Sequence, residues 1–391
     1  MKKTIVLIGG GHSHAIALKL FGKEPREQVK LILISDVLKT PYSGMLPGHI
    51  AGFYSYDETH IDLVSLTKFA QAKLYLDRAI GLDLEQNQVI CESKQRINFD
   101  VLSIDIGSTP NNSRIPGAAE YAIGAKPVPQ LLKTWNQLLL QATEYPDSCF
   151  TICIVGGGVG GVELTLNMQS RLEKILQSRS QLEIHLFQKT AHLVPHHNAW
   201  IQYKLTDILK RRNIQLHLNT KVTEILPHQI ITSSSSNDNE KSQLSLNSSS
   251  LAGDKSFNYI FLVTDASSPQ WVKDSGLSLN QKGFIYVKET LQTLSHGHIF
   301  ATGDIATINN HPRPKAGVFA VRQGKPLWQN LNRLVNNQPL KNYIPQKNYL
   351  SLISTGDQRA IASWGYLGWE SPLLWNLKDY IDRQFMSSLK D

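Results

Sequence analysis

Short apolar runs of strand length alternate with amphipathic stretches of helical period from the start of the chain. Residues 4–8 are a continuous apolar run, residues 15–21 carry apolar positions at helical spacing, and residues 29–34 are a second apolar run. Such runs, bounded by turn signals, suit strands buried on both faces, and the helix between them makes the two strands parallel. A helix is predicted over 63–72, with short strands at 74–76, 80–84, 88–91 and 100–104. The plan then repeats as helix 128–141, strand 151–155, helix 162–176 and strand 182–187. Further strands are expected at 259–263, 284–287 and 298–301, and a helix at 317–335. Two strand-like pieces, 349–353 and 359–363, and a helix over 374–388 close the chain. Between 233 and 255 serine and asparagine dominate, which predicts a flexible loop with no packing face.

Both strand–helix junctions carry glycine clusters. The first reads Gly9-Gly10-Gly11-His12-Ser13-His14, with Gly9 and Gly11 placed for a tight turn and for close approach of backbone to a pyrophosphate. His14 stands where a third small residue usually lets helix and strand pack closely. Asp36, 27 positions after Gly9, and Ser35 before it are both placed to meet an adenosine ribose. The second cluster, Gly156-Gly157-Gly158-Val159-Gly160-Gly161-Val162-Glu163, has Gly156, Gly158 and Gly161 in register. The strand after it ends in Phe187-Gln188-Lys189, without the acid that binds the ribose hydroxyls of NADH, so Gln188 is the cofactor-facing candidate there and NADH and NADPH both remain open. A third element, residues 298–306, runs a short strand into Gly303-Asp304, where an acid can accept from a ribityl hydroxyl. Its place after two dinucleotide units makes the first site one for FAD. The expected fold is α/β, with two Rossmann-like dinucleotide-binding domains and a small C-terminal α+β domain. The FAD domain is expected over 1–115 and 260–335, the NAD(P) domain over 116–259, and the C-terminal domain over 336–391.

Composition narrows the chemistry. The chain has 391 residues and 41% hydrophobic residues, too many for one core at roughly 150 residues per domain. No run approaches the roughly 20 apolar residues of a membrane-spanning helix. The opening residues break into glycines with no cleavage site, so the chain is expected in the cytoplasm. A formal charge of +8 suits anionic cofactors, but the basic residues form no long tract, so nucleic acid is not an expected partner. The three cysteines, Cys91, Cys149 and Cys153, have neither a redox-motif spacing nor a metal-ligand spacing, and no metal is expected.

Together these residues resemble the two-dinucleotide-binding-domain flavoproteins, among them type II NADH dehydrogenases, sulfide:quinone oxidoreductases and pyridine nucleotide-disulfide oxidoreductases. The resemblance implies that residues 9–14 and Asp304 hold FAD and that residues 156–163 open an inserted nicotinamide domain. Asp105-Ile106-Gly107-Ser108 matches the family's Ala-Thr-Gly connection only in Gly107, and Thr264-Asp265-Ala266 departs further. Residues 41–48, 313–318, 320–323 and 378–386 resemble more closely the NADH-dehydrogenase-like FAD module found fused ahead of selenide, water dikinase. With no kinase part after Asp391, the reading is of the flavin module alone.

The missing thiol pair weighs against disulfide reduction and sulfide oxidation. The expected function is electron transfer from NAD(P)H through FAD to a quinone-like acceptor. The alternatives are reduction of a small selenium or sulfur compound and a non-catalytic dinucleotide-binding protein. Aligned to the flavin-covering helix of type II dehydrogenases, the chain keeps Gln323 but has Val318 and Arg322 at other glutamine positions. Tyr42, Lys315 and Arg322 are the catalytic candidates near the isoalloxazine, with Lys315 placed to stabilise anionic reduced flavin. His12 and His14 stand at a helix start, where packing is the first reading. In the terminal helix Leu374, Leu377, Ile381 and Phe385 form an apolar stripe, which fits core packing, a homodimer contact or a peripheral membrane contact.

Overall fold

The computed structural model describes residues 2–390 apart from 111–114, 228, 235–236, 247–255 and 265. The first apolar runs form a five-stranded parallel sheet in the spatial order Ile299–Ala301, Val101–Ile104, Lys3–Ile8, Val29–Ser35, Lys73–Leu76. The strand after residue 298 thus pairs with one built before residue 105, so this sheet is assembled from two distant stretches of chain. A second five-stranded parallel sheet has the order Ile123–Gly124, Ser256–Leu262, Cys149–Val155, Leu182–Phe187, Gln215–His217. Thr109–Pro110 pairs antiparallel with Ala266–Ser267, so the two connections between the sheets run side by side. Asp265, in the second connection, lies outside the described residues.

Each sheet has its own core. Helix Val128–Glu144 has proline in its first turn and turns Leu131, Leu132, Trp135, Leu138 and Ala142 into the second core, at three- and four-residue spacing. Helix Gly317–Val335 lies against helix His12–Lys23, close enough that a Cβ at Gly324 would stand 2.6 Å from Ile16. The C-terminal part is a three-stranded antiparallel sheet, Ser351–Ser354, Ala360–Trp364 and Leu367–Ser371, followed by helix Pro372–Leu389. It joins both cores: Ile353 and Ile361 pack into the second, while Trp375, Met386 and Leu389 pack into the first.

The structure departs from expectation at three places. Part of the serine-rich segment is paired and not a loop: Gln229–Ser234 and Asn237–Ser245 form antiparallel strands beside Thr220–Leu226. Hydroxyls serve this sheet as apolar groups would not, with Thr232 Oγ1 and Ser242 Oγ 2.8 Å apart across the strands, while Ile230 and Leu244 alternate inward. Residues 247–255 of that segment lie outside the described residues. The strand Leu367–Ser371 was not expected. Finally, the terminal helix divides its stripe. Leu374 is buried, but Leu377 and Ile381 join Leu373 and Tyr380 on an exposed face, because Trp375, Lys378, Asp382 and Met386 take the inward positions.

Candidate functional site

The helices differ in how they begin. Some helices carry side-chain caps, with Asn198 accepting from Ile201 N and Ser371 from Leu373 N, while Val128–Glu144 has none. Helices His12–Lys23, Val159–Leu172 and Gly317–Val335 begin after Gly11, Gly158 and Ala316 with no cap of their own. An uncapped start leaves amide donors and the positive end of the helix dipole for something else.

At the first of these starts, that something is partly Asp105. Its Oδ2 accepts from Ser13 N at 2.9 Å and His14 N at 3.4 Å. A Cβ on Gly11 would lie 2.1–2.3 Å from this carboxylate, and one on Gly303 2.4 Å from its Oδ1. Gly11 is therefore required by Asp105, whatever it also allows a pyrophosphate to do. Burial holds the Asp105 carboxyl up at about 7, despite the two amides. His14, in the third-glycine place, is a brace: Nδ1 is 2.7 Å from Gly9 O and Nε2 2.8 Å from Ser103 Oγ. Burial lowers its pKa to about 4, so the ring is neutral. Ser13 Oγ donates to Ala320 O across the helix pair at 2.7 Å. Ser35 spends its hydroxyl on Val37 O at 2.8 Å, while Asp36 is exposed at the strand end.

The two chain segments meet again at Asp304. Its Oδ2 lies 2.8 Å from Lys126 Nζ, and Lys126 Nζ donates to Ser108 Oγ at 2.9 Å. Lys126 was not singled out from the sequence, since nothing local marks it. Gly107, beside Ser108, has φ of 67° and open space where a Cβ would be. Gly303 N donates to Gln323 Oε1 at 2.7 Å, so Gln323 is a buried brace for the Gly303–Asp304 turn, and it lines a small cavity with Asp304 and Lys315. Lys315 Nζ donates to Ala306 O and to Thr307 Oγ1, 3.0 Å away, and sits 4.2 Å over the Phe284 ring. Burial lowers its pKa to about 8. Arg322 is exposed on the outer side of its helix.

Tyr42 is enclosed by His12, with ring centroids 5.2 Å apart and edge-on, and by Phe385 at 4.5 Å. Burial lowers the pKa of His12, which hydrogen-bonds the Pro41 carbonyl. A Cβ at Gly317 would lie 2.9 Å from Ser43 Oγ and 3.8 Å from His12, so the third uncapped helix starts against this aromatic cluster. The terminal helix closes it. Lys378 and Asp382 form a buried pair at 2.6 Å, Lys378 also donates to Gly44 O, and Tyr54 donates to Asp379 at 2.7 Å. Their place in this site was missed because Gly44 and Tyr54 stand more than 300 positions before Lys378 and Asp379.

In the second loop Gly156 has φ of 121° and Gly161 is obligatory, since a Cβ there would lie 1.8 Å from Gly156 O. Gly158 has nothing within 4 Å of a Cβ, which leaves room for a ligand at the helix start. Gln188 turns inward: Oε1 accepts from Gly157 N at 3.0 Å, and Nε2 reaches Thr190 Oγ1 at 2.5 Å and His192 O at 3.3 Å. It braces the loop and is not turned toward a ribose. Glu163 accepts from Ser354 N at 2.8 Å, and its burial, offset in part by Lys378, raises its carboxyl to about 7. Among the described residues no group of His, Cys, Asp or Glu could hold a metal. Cys91 and Cys153 are buried, their thiols pushed up by burial, and all three cysteines are free.

Two dinucleotide sheets, each with a glycine turn feeding an uncapped helix, define an oxidoreductase that holds FAD and a nicotinamide dinucleotide. The chain belongs to the pyridine nucleotide-disulphide oxidoreductase family, whose profile matches residues 3–324. It is similar to the type II NADH:quinone oxidoreductase of Haemophilus influenzae, 24% identical over 87% of this chain and 82% of the relative. Its fold is like that of the sulfide:quinone oxidoreductase from Aquifex aeolicus, with a TM-score of 0.80, 19% identity and coverage of 99% and 91% of the two chains. It is also like that of NDH2 from Plasmodium falciparum in complex with NADH, with a TM-score of 0.77, 16% identity and coverage of 99% and 97%. The chain is thus an NADH-dehydrogenase-like flavin oxidoreductase that transfers electrons to a small acceptor.

Proposed function

We propose that this protein passes electrons from NADH or NADPH through FAD to a quinone-like acceptor. The observation that carries this reading is the packed aromatic cluster of His12, Tyr42 and Phe385 beside the first glycine turn, with no thiol in it. FAD supplies a hydride acceptor and an onward electron donor. The residues suited to hold it are the turn at Gly9 and Gly11, His12 at the helix start, Asp36 for the ribose and Asp304 for the ribityl chain, with open space at Gly107. Ser13 and His14 shape the turn, and Ser35 orients Val37 ahead of it. Gly156, Gly158 and Gly161 suit the nicotinamide dinucleotide, and Glu163 stands between this loop and Lys378. Tyr42, packed between His12 and Phe385, would then border the acceptor and exclude water beside it, while Lys315 supports the Asp304 turn from behind. Arg322, on which an oxyanion acceptor would lean, is exposed, and this favours a quinone over a selenium or sulfur oxyanion.

The acceptor is apolar, and its source fits the exposed face of the C-terminal part. Leu373, Leu377, Tyr380 and Ile381 are exposed on the terminal helix, as are Trp364, Tyr366 and Leu367 on the preceding hairpin. Aromatic and aliphatic residues clustered on a helix of basic protein suit a peripheral lipid contact. Among the described residues no helix is long and apolar enough to cross a membrane. The deciding experiment is reoxidation of the pre-reduced protein by short-chain quinones, selenite and small sulfur compounds in parallel. Quinone is expected to react fastest, and preference for selenite would replace this reading.

A further inference from the structure

Asp105 stands at the alanine position of the Ala-Thr-Gly connection that this chain matches only in Gly107, and the first helix start is built around it. Its carbonyl accepts from Gly11 N at 3.1 Å, and its Oδ2 accepts from Ser13 N at 2.9 Å and His14 N at 3.4 Å. The carboxyl therefore lies within the same turn of backbone that suits a diphosphate, and when ionised it has the sign of that ligand. It is buried, and among the described residues no cation pairs with it. The titratable groups around it supply no counter-charge. On the helix, His12 and His14 are kept neutral by burial. On the Gly303 turn, Asp304 pushes the Asp105 carboxyl further up, and Lys126 is spent on Asp304 itself. Lys315, beside Asp304, is held by Ala306 O and Thr307 Oγ1. Burial, with Asp304 adding to it, already holds the carboxyl up at about 7. A diphosphate on the turn adds negative charge in a site out of water, which favours the protonated acid further.

We propose that Asp105 is a proton switch for cofactor loading: FAD seats on the Gly9–Gly11 turn with the Asp105 carboxyl protonated, so that binding to the ionised form takes up one proton from solvent. The proton goes to Oδ1, which faces Gly303, since Oδ2 already accepts two amides. The proposal rests on the FAD reading above. Binding is strongest below the pKa of the empty site and weakens as pH rises through it, with no change in the residues that touch the cofactor.

The test is titration of flavin-stripped protein with FAD between about pH 6 and 8.5 at constant ionic strength, read by flavin fluorescence. Calorimetry at about pH 8 in buffers of different ionisation enthalpy counts the protons taken up. Wild type is expected to lose about 10-fold in FAD affinity over this range and to take up more than about half a proton per FAD. Asp105→Asn and Asp105→Ala are each expected to vary by less than about 3-fold and to lose that proton uptake. Lys315, lowered by burial to about 8, is the other group that can bind a proton here, and it is still present in both variants. A pH dependence and proton uptake that persist undiminished without Asp105 therefore belong to Lys315 and overturn the proposal. Wild-type affinity that varies by less than about 3-fold, with no proton taken up, overturns it without any variant. The melting temperature of each stripped protein at each pH shows that it is folded. Wild-type protein that binds no FAD at any pH would instead sink the FAD reading itself.

Discussion

Tyr42 donates its phenolic hydrogen to Asp382, 3.1 Å away, so a residue of the first flavin loop is held by the last helix of the chain. The same carboxylate is paired with Lys378, and both charged side chains are almost wholly enclosed, at 7% and 8% exposure. Tyr42→Phe keeps the ring between His12 and Phe385 and removes only the hydroxyl. Asp382 retains Lys378, so the melting temperature should fall little, by the equivalent of about 1 kcal/mol. Reoxidation of reduced flavin by quinone should slow several-fold while reduction by NAD(P)H is unchanged. Equal slowing of both half-reactions in stopped flow would remove Tyr42 from the acceptor side. Asp382→Asn should cost about 3–5 kcal/mol in denaturant unfolding, because Lys378 is left buried without its counter-charge.

Gly158 and Gly161 should respond oppositely to alanine. At Gly161 the new methyl would lie 1.8 Å from the Gly156 carbonyl, so the turn cannot close, and the protein should lose both stability and nicotinamide binding. At Gly158 no protein atom lies within 4 Å of a Cβ, so Gly158→Ala should melt like wild type. Its NAD(P)H affinity should nevertheless fall, by about 10-fold, if the dinucleotide approaches the backbone there. Unchanged affinity in isothermal titration would place the ligand elsewhere.

Gln188 supports the second loop from inside, so Gln188→Ala should weaken NADH and NADPH alike. With no acid at this strand end, wild-type flavin should be reduced by the two cofactors at rates within about 10-fold of each other. A variant effect confined to one cofactor would show that Gln188 reads the ribose after all.

Asp105 gives the stability a specific pH dependence. Its folded pKa, about 7, lies above the ordinary 3.8, so the native state holds the proton more tightly than the unfolded chain does. Its contribution is most favourable below about pH 4, declines as pH rises, and is lost above about 7. The full cost is on the order of 4 kcal/mol. Asp105→Asn keeps an acceptor for Ser13 N but carries no charge. Its melting temperature should gain on wild type between pH 5 and 7 and hold that gain above, and a difference independent of pH would refute the assignment.

The exposed face of the terminal helix predicts lipid contact. Wild-type protein should float with liposomes, and Leu373→Glu together with Leu377→Glu should abolish flotation without altering the melting temperature. Dimerisation through the same face would appear instead as a shift to monomer in sedimentation, with no wild-type flotation.

The repeated strand–glycine–helix unit and helix Gly317–Val335 were legible in the sequence because each rests on local order: apolar period, glycine at the turn and a following helix start. The class of cofactor followed from the same local signals, and so did the absence of redox thiols. The partners of the site residues did not. Asp304 lies 178 positions from Lys126 and Tyr42 lies 340 from Asp382, and no spacing rule reaches so far. Gln188 and Gln323 were read as ligand-facing because their positions in the motif suggested it, yet both side chains turn inward to satisfy glycine amides. A buried amide without a partner costs more than a solvated glutamine gains, so packing overruled position. Which side chains brace the turns and which face the cofactors was decided only when the two sheets and the C-terminal helix closed on one another.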